Sequence, residues 1–300
     1  MTSQPSHLPV AISPLATPLL SIGMPVYNGA KTLEKAVLSV LAQTTTEIEI
    51  IISDNGSTDA TPDICAKMAK TDLRVRFVRQ PTTLSITDNF KFVLKEAKAP
   101  FFMWAAHDDI REPHTAEAFI TALQANKDAI LAFGDLIEVT DGKPAPRVFD
   151  FVNAGLSPSA RLRKSAMGQL YHIYGIWRTE AVRKIEWETT AWWVDTPFMM
   201  AASLLGDFIH VPGPRFIYQF NARPFFGWRK ANEKPSIVGD IRQFASAVGQ
   251  LFLMVYLCFK SVKAVAGPWR GVQALFFASI KILLQITGFI TRRILPRQHA

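Results

Sequence analysis

Cysteine is scarce in this chain of 300 residues, which contains only Cys65 and Cys258. The two lie far apart in the sequence and neither has a partner at metal-ligand spacing, so we expect neither a disulfide framework nor a zinc site. Lys and Arg are absent from residues 1–18, where Pro, Ser and Thr are frequent. Because a secretory signal needs positive charge ahead of its apolar stretch, we interpret residues 1–18 as a flexible tail.

Acidic residues are absent from residues 241–300. Eight basic residues stand there: Arg242, Lys260, Lys263, Arg270, Lys281, Arg292, Arg293 and Arg297. The basic residues of the first 240 positions equal the 25 acidic ones, so the net charge of +8 belongs to this C-terminal region. Nucleic acid is not an expected partner, because these basic residues lie within apolar helical patterns rather than on a polar face.

The C-terminal region has two apolar segments, 244–259 and 271–291, that are borderline for the roughly 20 residues a membrane-spanning helix needs. Whether they span a membrane stays open. Polar residues recur along one narrow helical stripe of the second segment: Gln273, Lys281, Gln285 and Arg292. We interpret this as a helix lying in the membrane interface with its basic residues toward lipid phosphates. The alternative is a pair of apolar helices packed on the protein's own core.

Short apolar runs alternate with helical periods from Leu19 to about Asp141. Strands are predicted at Leu19–Met24, Glu47–Ser53, Arg74–Val78, Phe101–Ala106 and Ala129–Phe133, and helices at Lys31–Ala42, from Thr61 onward, at Thr87–Ala97 and at Thr115–Ala125. This alternation predicts an α/β fold on a doubly wound, mostly parallel sheet, followed by a C-terminal apolar helical region. Ligands of such sheets bind beyond the carboxyl ends of the strands, so we expect function in the loops there.

Each of three expected loops carries a polar motif. Pro25-Val26-Tyr27-Asn28-Gly29 follows the first strand, a run from Ser53 to Asp59 that contains Asp54 and Asn55 follows the second, and His107-Asp108-Asp109 follows the fourth. Adjacent carboxylates repel each other unless a cation compensates them, and Mg²⁺ or Mn²⁺ prefers such oxygen ligands. Helix capping near Pro113 is the structural alternative. Asp54 and Asn55 offer hydrogen bonds to a base and ribose, but both residue types also favour turns.

The order and spacing of these motifs resemble family 2 glycosyltransferases, most strongly from Leu19 to Asp109 and more loosely up to Phe220. The segment from Asn89 to Trp104 is similar to one branch of that family. The resemblance implies a nucleotide-diphospho-sugar transferase fold of the glycosyltransferase A type and inversion of the anomeric centre. Asn55 departs from the family's commonest pattern, where a second Asp is usual, and His107 replaces the first acid of a triple-acid variant.

The resemblance also implies roles for individual residues. It implies that the nucleotide-sugar is bound by Pro25, Tyr27, Asn28, Asp54, Asn55, Asn89 and Asp108. It further implies that Asp109 binds a divalent metal, Mn²⁺ or Mg²⁺. The family places an acidic catalytic base at the start of a helix in the second half, and Asp195, within Trp193-Val194-Asp195-Thr196-Pro197, stands at that position. Trp192 and Trp193 are candidates for an apolar wall at the acceptor sugar, and capping of the following helix is the structural alternative for Asp195.

The predicted organisation follows from these assignments. A turn at Asp141-Gly142-Lys143-Pro144 divides a nucleotide-sugar-binding half, 19–141, from an acceptor-binding half, 142–240, which is followed by a basic, apolar, membrane-associating region, 241–300. We expect a metal-dependent transferase on the cytoplasmic side of the cell membrane, with a lipid-linked saccharide acceptor in cell-envelope glycan synthesis. The alternatives are a nucleotidyltransferase that makes nucleotide sugars and a catalytically degenerate, membrane-bound scaffold.

Overall fold

The computed structural model of the protein describes residues 17–140, 142–148, 151–167, 171–186, 195–213, 216–220 and 253–294. Seven strands form its main sheet: β1 (Leu20–Val26), β2 (Ile48–Asp54), β3 (Val75–Arg79), β4 (Phe101–Trp104), β6 (Ala129–Phe133), β9 (Ile176–Arg178) and β10 (Asp207–His210). Their order is β10–β6–β9–β4–β1–β2–β3. All neighbouring pairs are parallel except those of β9, which is antiparallel to β4 and β6. The predicted mostly parallel α/β sheet is therefore confirmed.

A second, smaller sheet was not predicted from the sequence. It consists of β5 (Ile110–Arg111), β7 (Leu136–Thr140), β8 (Lys143–Arg147) and β11 (Phe216–Phe220), in the order β5–β11–β7–β8. Pro144 and Pro146 hide β8 in the sequence, because proline cannot donate to a ladder and is confined to edge strands such as this one. The turn expected at 141–144 connects β7 to β8, with Thr140 opposite Lys143, although Asp141 itself lies outside the described residues.

Helices cover both faces of the main sheet. They are α1 (Leu33–Leu41), α2 (Thr61–Thr71), α3 (Ile86–Glu96), α4 (Thr115–Ala125), α5 (Pro158–Met167), a 3₁₀ helix (Tyr171–Tyr174), α6 (Thr179–Val182), α7 (Asp195–Leu205), α8 (residues 253–266) and α9 (Pro268–Ile294). Two apolar clusters result, because β2 points Ile51 into one and Ile50 and Ile52 into the other. Both faces of the strand are thus buried, as its continuous apolar run indicated.

The C-terminal helices α8 and α9 pack on the first of these clusters. Met254 and Cys258 of α8, and Ala274 and Ala278 of α9, are fully buried there. Gly271 allows the close approach of the two helices, since a Cβ atom at this position would lie 2.9 Å from the Phe259 ring. Within the described part of the chain, no helix combines the length and hydropathy that crossing a bilayer requires.

Gln273 and Lys281, the two residues of the predicted polar stripe whose side chains the structure describes, contact the protein, which corrects the prediction that they face lipid phosphates. Gln273 Oε1 lies 3.2 Å from the Ser159 hydroxyl of α5, and Lys281 Nζ donates a hydrogen bond to Thr196 Oγ1 of α7 at 3.2 Å. The stripe was predicted from its helical spacing alone. Such spacing predicts that the residues share a face, but it does not determine what that face contacts. The side chains at 285 and 292 lie outside the described residues.

A buried carboxylate holds the turn that leads into β4. Glu49 Oε1 of β2 accepts hydrogen bonds from the Ser21 hydroxyl at 2.6 Å and from the Lys98 backbone N–H at 2.8 Å. The same hydroxyl accepts from the Lys98 and Ala99 N–H groups. Glu49 is only 7% exposed, so if its carboxylate were removed, water could not easily replace it as the acceptor for the Ser21 hydroxyl and the Lys98 N–H.

We therefore expect Glu49→Ala to lower the free energy of unfolding by about 1–3 kcal/mol, measured by urea denaturation. Glu47→Ala is the matched control, because Glu47 is exposed two residues earlier in the chain. Its effect should stay within about 0.5 kcal/mol. Equal effects of the two substitutions would contradict a structural role of the Glu49 carboxylate.

Candidate functional site

The three predicted loops meet at one edge of the main sheet. Strand β1 lies between β2 and β4 and is parallel to both, with Val26 opposite Asp54 and Gly23 opposite Trp104. The carboxyl ends of parallel neighbours share an edge, so the segments after β1, β2 and β4 emerge side by side. The edge predicted to carry function is therefore the edge where the structure brings these motifs together.

The first loop is tied to the second by Asn28. Its backbone N–H donates to Ser57 Oγ at 2.8 Å, and its side-chain oxygen accepts the Thr58 N–H at 2.9 Å. Asn28 has a φ of 52°, a left-handed conformation that Asn tolerates better than most residues. Pro25 is buried in β1, whereas Tyr27 is 50% exposed. Tyr27 and Asn28 are thus the exposed members of this motif.

The first loop also contacts the third. His107 Nδ1 lies 3.2 Å from the Thr32 hydroxyl, at the start of α1. A Cβ atom on Gly29 would lie 2.9 Å from the same nitrogen and 2.6 Å from a Val26 methyl group, so only glycine allows this approach. His107, which replaces an acid of the family pattern, joins the loops here.

Asp54 and Asn55 hold the second loop in place. Asp54 is fully buried, and its Oδ1 accepts the Ser57 N–H at 3.0 Å while its Oδ2 lies 3.5 Å from Arg79 Nε. Asn55 pairs with the backbone of Leu84 in both directions: it accepts the Leu84 N–H at 2.8 Å and donates to the Leu84 carbonyl at 3.0 Å. An aspartate could not donate that second bond, which gives a physical reason for the amide at this position.

Asn89 has a structural environment as well. It is 3% exposed, accepts a hydrogen bond from the Ser53 hydroxyl and donates one to the Ser53 carbonyl at 3.2 Å. Asn89 therefore supports the end of β2 from α3. Its predicted part in nucleotide-sugar binding would be indirect, through the position of the Ser53–Asp54 backbone.

The carboxylate pair after β4 lies beside a buried arginine. Asp108 is partly buried and Asp109 is 2% exposed. The Arg111 guanidinium lies 4.2 Å above the Phe216 ring, and its Nη2 donates to the Trp104 carbonyl at 3.3 Å. Burial lowers the pKa of Arg111 to about 10, and the negative charge of Asp109 acts in the opposite direction. Asp109 thus has a nearby cation of the protein's own.

Carboxylates from two separate parts of the chain affect the pKa of Tyr174. Burial raises the pKa of this tyrosine, and the negative charges of Asp109, Asp195 and Asp108 raise it further. Such an influence falls off with distance, so charges from the loop after β4 and from the start of α7 both lie in the neighbourhood of this tyrosine. Asp109 and Asp108 also raise the pKa of Tyr218, although burial and Tyr171 contribute more. Charges of the predicted metal-binding pair and of the predicted base thus act on the same tyrosine.

Asp195 is placed in this site by the aromatic core. It is the first residue of α7, and Phe198 one turn later packs edge-on against Trp104 of β4, with ring centroids 5.8 Å apart. Burial raises the pKa of Asp195, while the positive charge of Lys281 and backbone hydrogen bonds lower it. Trp192 and Trp193, the expected acceptor wall, lie outside the described residues.

The carboxylates after β4 are compatible with a divalent metal for which the protein would supply only part of the coordination shell. No group of three or more potential ligands is present among the residues that the structure describes. Asp108 and Asp109 supply carboxylate oxygens, which Mg²⁺ and Mn²⁺ prefer. Such ions commonly combine one or two carboxylates with waters and substrate phosphates. The pair is therefore compatible with a metal whose shell the substrate completes.

Sequence reasoning missed three residues of this site: Arg111, Tyr174 and Lys281. A charge that interrupts an apolar helical segment was the available signal for Lys281, but it was assigned to the membrane. Tyr174 carried no signal in the sequence. His172 and His210, which were not assigned to catalysis, have structural contacts: His172 stacks on Phe151 at 4.0 Å, and His210 Nε2 lies 2.8 Å from Asp135 Oδ1.

Comparison with known proteins identifies a family for this arrangement. Residues 21–174, just over half of the chain, match the family described as Glycosyl transferase family 2. An uncharacterized glycosyltransferase of Rickettsia typhi is 37% identical over 120 residues, which cover 39% of this chain and 36% of that protein. Glycosyltransferase GlyG of Streptococcus pneumoniae is 32% identical over 117 residues, covering 39% of this chain and 38% of that protein. The matched region thus spans little more than a third of the length of these relatives.

Solved structures extend the likeness beyond the matched segment. S. aureus TarS in complex with UDP-GlcNAc superposes with a TM-score of 0.57 at 13% identity, covering 90% of this chain and 92% of that chain. The mannosyltransferase PcManGT from Pyrobaculum calidifontis, in complex with GDP-Man and Mn²⁺, superposes with a TM-score of 0.51 at 15% identity, covering 95% and 84%. At such identities the likeness shows the fold alone, and it confirms the predicted glycosyltransferase A type.

The pairing of Asn55 with Leu84 yields a testable prediction. Asn55→Asp should lower the free energy of unfolding by about 1–3 kcal/mol at neutral pH, because an ionised carboxylate would face the Leu84 carbonyl without a hydrogen to donate. A protonated carboxyl can donate that hydrogen, so folding should raise the pKa of the introduced carboxyl, and the deficit relative to the wild type should shrink as the pH falls from 7 to about 4. Urea denaturation of both proteins at pH 7 and pH 4 measures it. A deficit independent of pH would contradict this role.

Proposed function

The chain belongs to glycosyltransferase family 2, and we propose that it transfers a sugar from a nucleotide-diphospho-sugar to an acceptor hydroxyl with inversion of the anomeric carbon. The observation that carries this proposal is the packing that brings Asp195 toward Asp108 and Asp109: Phe198, one turn after Asp195, contacts Trp104 at the end of β4. Asp108 and Asp109 lie in the loop after β4, and Asp195 lies at the start of α7. A donor site and an acceptor base have to lie together in this way for a single displacement.

The donor would lie along the edge formed by the three loops. Tyr27 is exposed there, whereas Asp54, Asn55 and Asn28 fix the backbone against which a nucleotide would rest. TarS has been crystallised with UDP-GlcNAc and PcManGT with GDP-Man, which supports a nucleotide-sugar as the ligand class. The shape of this edge would determine which nucleobase and which sugar the protein binds.

The diphosphate would be held at the carboxylate pair. We assign Asp109, with Asp108 beside it, as the ligands of a divalent cation, Mn²⁺ or Mg²⁺, which when bound supplies the positive charge that stabilises the leaving diphosphate. Mn²⁺ accompanies GDP-Man in PcManGT, which supports this assignment. Arg111 compensates part of the negative charge of Asp109 within the protein.

Asp195 would act as the general base. The acceptor oxygen forms its bond to the anomeric carbon as the bond from that carbon to the diphosphate breaks, and the hydroxyl proton passes to the Asp195 carboxylate. Burial raises the pKa of Asp195, which makes its ionised form a stronger base near neutral pH. Activity should be lost as the pH falls through this pKa, which lies above the value of about 3.9 that is ordinary for aspartate.

The outer face of α9 is where we propose contact with a membrane. Gln273 and Lys281 of α9 contact the protein, and the helix exposes Trp269, Val272, Leu275 and Phe276, with Trp269 exposed to 70%. Lys263 on α8 is also exposed, and the region from 241 onward has no acidic residue. Apolar side chains with basic neighbours suit an anionic lipid surface. This supports an acceptor that is a lipid-linked saccharide at the cytoplasmic side of the cell membrane, in cell-envelope glycan synthesis.

The donor site is tested by binding of a panel of nucleoside diphosphates and nucleotide-sugars, measured by calorimetry with and without Mn²⁺. We expect one nucleotide to bind more tightly with Mn²⁺ and Asp109→Asn to lose that gain. Asp128→Asn should retain it, since Asp128 is exposed at the opposite edge of the sheet, just before β6. Equal binding with and without metal would remove Asp109 as a ligand, and pyrophosphate release from a nucleoside triphosphate would favour a nucleotidyltransferase.

The assignment of the base predicts a different pattern for Asp195→Asn. This variant should keep the affinity of the wild type for the nucleotide-sugar and lose about 10²- to 10⁴-fold in the rate of transfer, the range typical of a general base. Product formation and donor affinity are measured on the same preparations. Transfer at the rate of the wild type would exclude Asp195 as the base.

The membrane proposal predicts that the intact chain sediments with vesicles containing phosphatidylglycerol. Trp269→Ser and Phe276→Ser should each weaken this partition about tenfold, because burial of a large apolar side chain contributes roughly 1.5–3 kcal/mol. Leu73→Ser is the matched control, since Leu73 is also 70% exposed but lies in the loop between α2 and β3. Partition that is equally weak for all proteins, or unchanged by the α9 variants, would contradict the proposal.

A further inference from the structure

A lysine of the C-terminal region reaches the start of the helix that carries Asp195. Lys281 lies in the middle of α9, and its Nζ donates a hydrogen bond to the hydroxyl of Thr196 at 3.2 Å. Thr196 directly follows Asp195 and is 1% exposed. Lys281 therefore contacts α7 in its first turn, next to the carboxylate assigned as the base.

The surroundings of Lys281 make a charge at this position costly. Its neighbours on the inward face of α9, Ala274 and Ala278, are fully buried, as is Cys258 of α8. Burial lowers the pKa of Lys281, and the nearby Asp195 and Cys258 oppose that effect. If this position served packing alone, an apolar side chain would cost less, because a buried ammonium group loses its hydration.

The negative charge that acts on Lys281 comes from outside the C-terminal region. Residues 241–300 contain no carboxylate, so an acidic partner of Lys281 has to come from the first 240 residues. Asp195, the residue before Thr196, is the carboxylate whose charge acts on Lys281: each of the two groups shifts the pKa of the other toward its charged form. The titratable groups involved are Asp195 on α7, Lys281 on α9, the Cys258 thiol on α8 and the Tyr174 phenol on the 3₁₀ helix.

Resting on the proposed role of Asp195 as the base, we propose that Lys281 is a positioning residue for the transfer reaction. Its hydrogen bond to Thr196 fixes the first turn of α7, and its positive charge attracts the Asp195 carboxylate and holds it in one orientation. Lys281 does not need to touch donor or acceptor for this. The C-terminal helices are in this account a part of the active site, in addition to any contact they make with lipid.

Loss of Lys281 is expected to lower the rate of transfer and to leave the affinity for the donor unchanged. The loops after β1, β2 and β4 that would hold the donor are fixed by their own hydrogen bonds, such as those of Asn28 and Asn55. Loss of Lys281 leaves these contacts in place and changes only the freedom of Asp195. A misplaced catalytic group can lower the rate by about 100-fold without weakening substrate binding.

The test measures kcat, the KM for the nucleotide-sugar, and the pH dependence of kcat in the intact chain. Lys281→Met should lower kcat about 10- to 100-fold and leave the donor KM within about twofold. It should also move the acid limb of the pH profile to higher pH, because the cation that lowers the pKa of Asp195 is gone. Lys281→Arg should restore part of kcat. Lys127→Met, which removes an exposed charge from the turn between α4 and β6, should match the wild type.

Thermal melting shows whether each variant is folded, and Thr196→Val tests the same contact from its other side if Lys281→Met does not fold. Folded Lys281→Met with the kcat and pH profile of the wild type would overturn the inference. A loss of kcat that merely follows the unfolded fraction, with no change in the pH profile of the folded enzyme, would overturn it as well. Asp195→Asn, assayed alongside, separates the two proposals: if it is inactive while Lys281→Met is fully active, only the role of Lys281 fails, and if it is active the base assignment fails.

Discussion

The parallel pairing of β1 with β2 on one side and β4 on the other is the constraint on which the site depends. It makes three strands end at one edge, so the segments after Val26, Asp54 and Trp104 can contact each other. The loops are then locked by side chains of their own, through Asn28 and His107. A slip of one residue in either pairing would turn every side chain of that strand to the opposite face, so the register and the buried core fix the site together.

The second half of the chain completes the site through packing rather than through its own sheet. Phe198 packs on Trp104, which places the start of α7 opposite the loop after β4. Lys281 then joins α9 to that same turn. Ionisable groups in these partly dry surroundings perturb each other, as the raised pKa values of Tyr174 and Asp195 indicate, and such perturbation is typical of functional sites.

The sequence predicted the first half of the fold well because its elements have a clear period, as with α1 and β2. The three-residue strand β9 and the proline-containing strand β8 have no such period, so neither strand could be predicted. Motif position placed Asp195 at the start of α7 correctly, whereas Asn55 and Asn89 bind the protein's own backbone in a way that no spacing reveals. Lys281 was assigned to lipid because a polar stripe has the same period whether it faces phosphates or a carboxylate.

We propose that one site, between the loop after β4 and the start of α7, binds the donor diphosphate beside the base. A crystal structure of the intact chain with Mn²⁺ and a nucleoside diphosphate that it binds tests this most directly, because the anomalous scattering of manganese locates the metal independently of the protein. We predict a single manganese peak within bonding distance of Asp109 or Asp108, in contact with the diphosphate and on the Tyr174 side of the pair. A diphosphate bound away from these carboxylates, or manganese held elsewhere, would contradict the account.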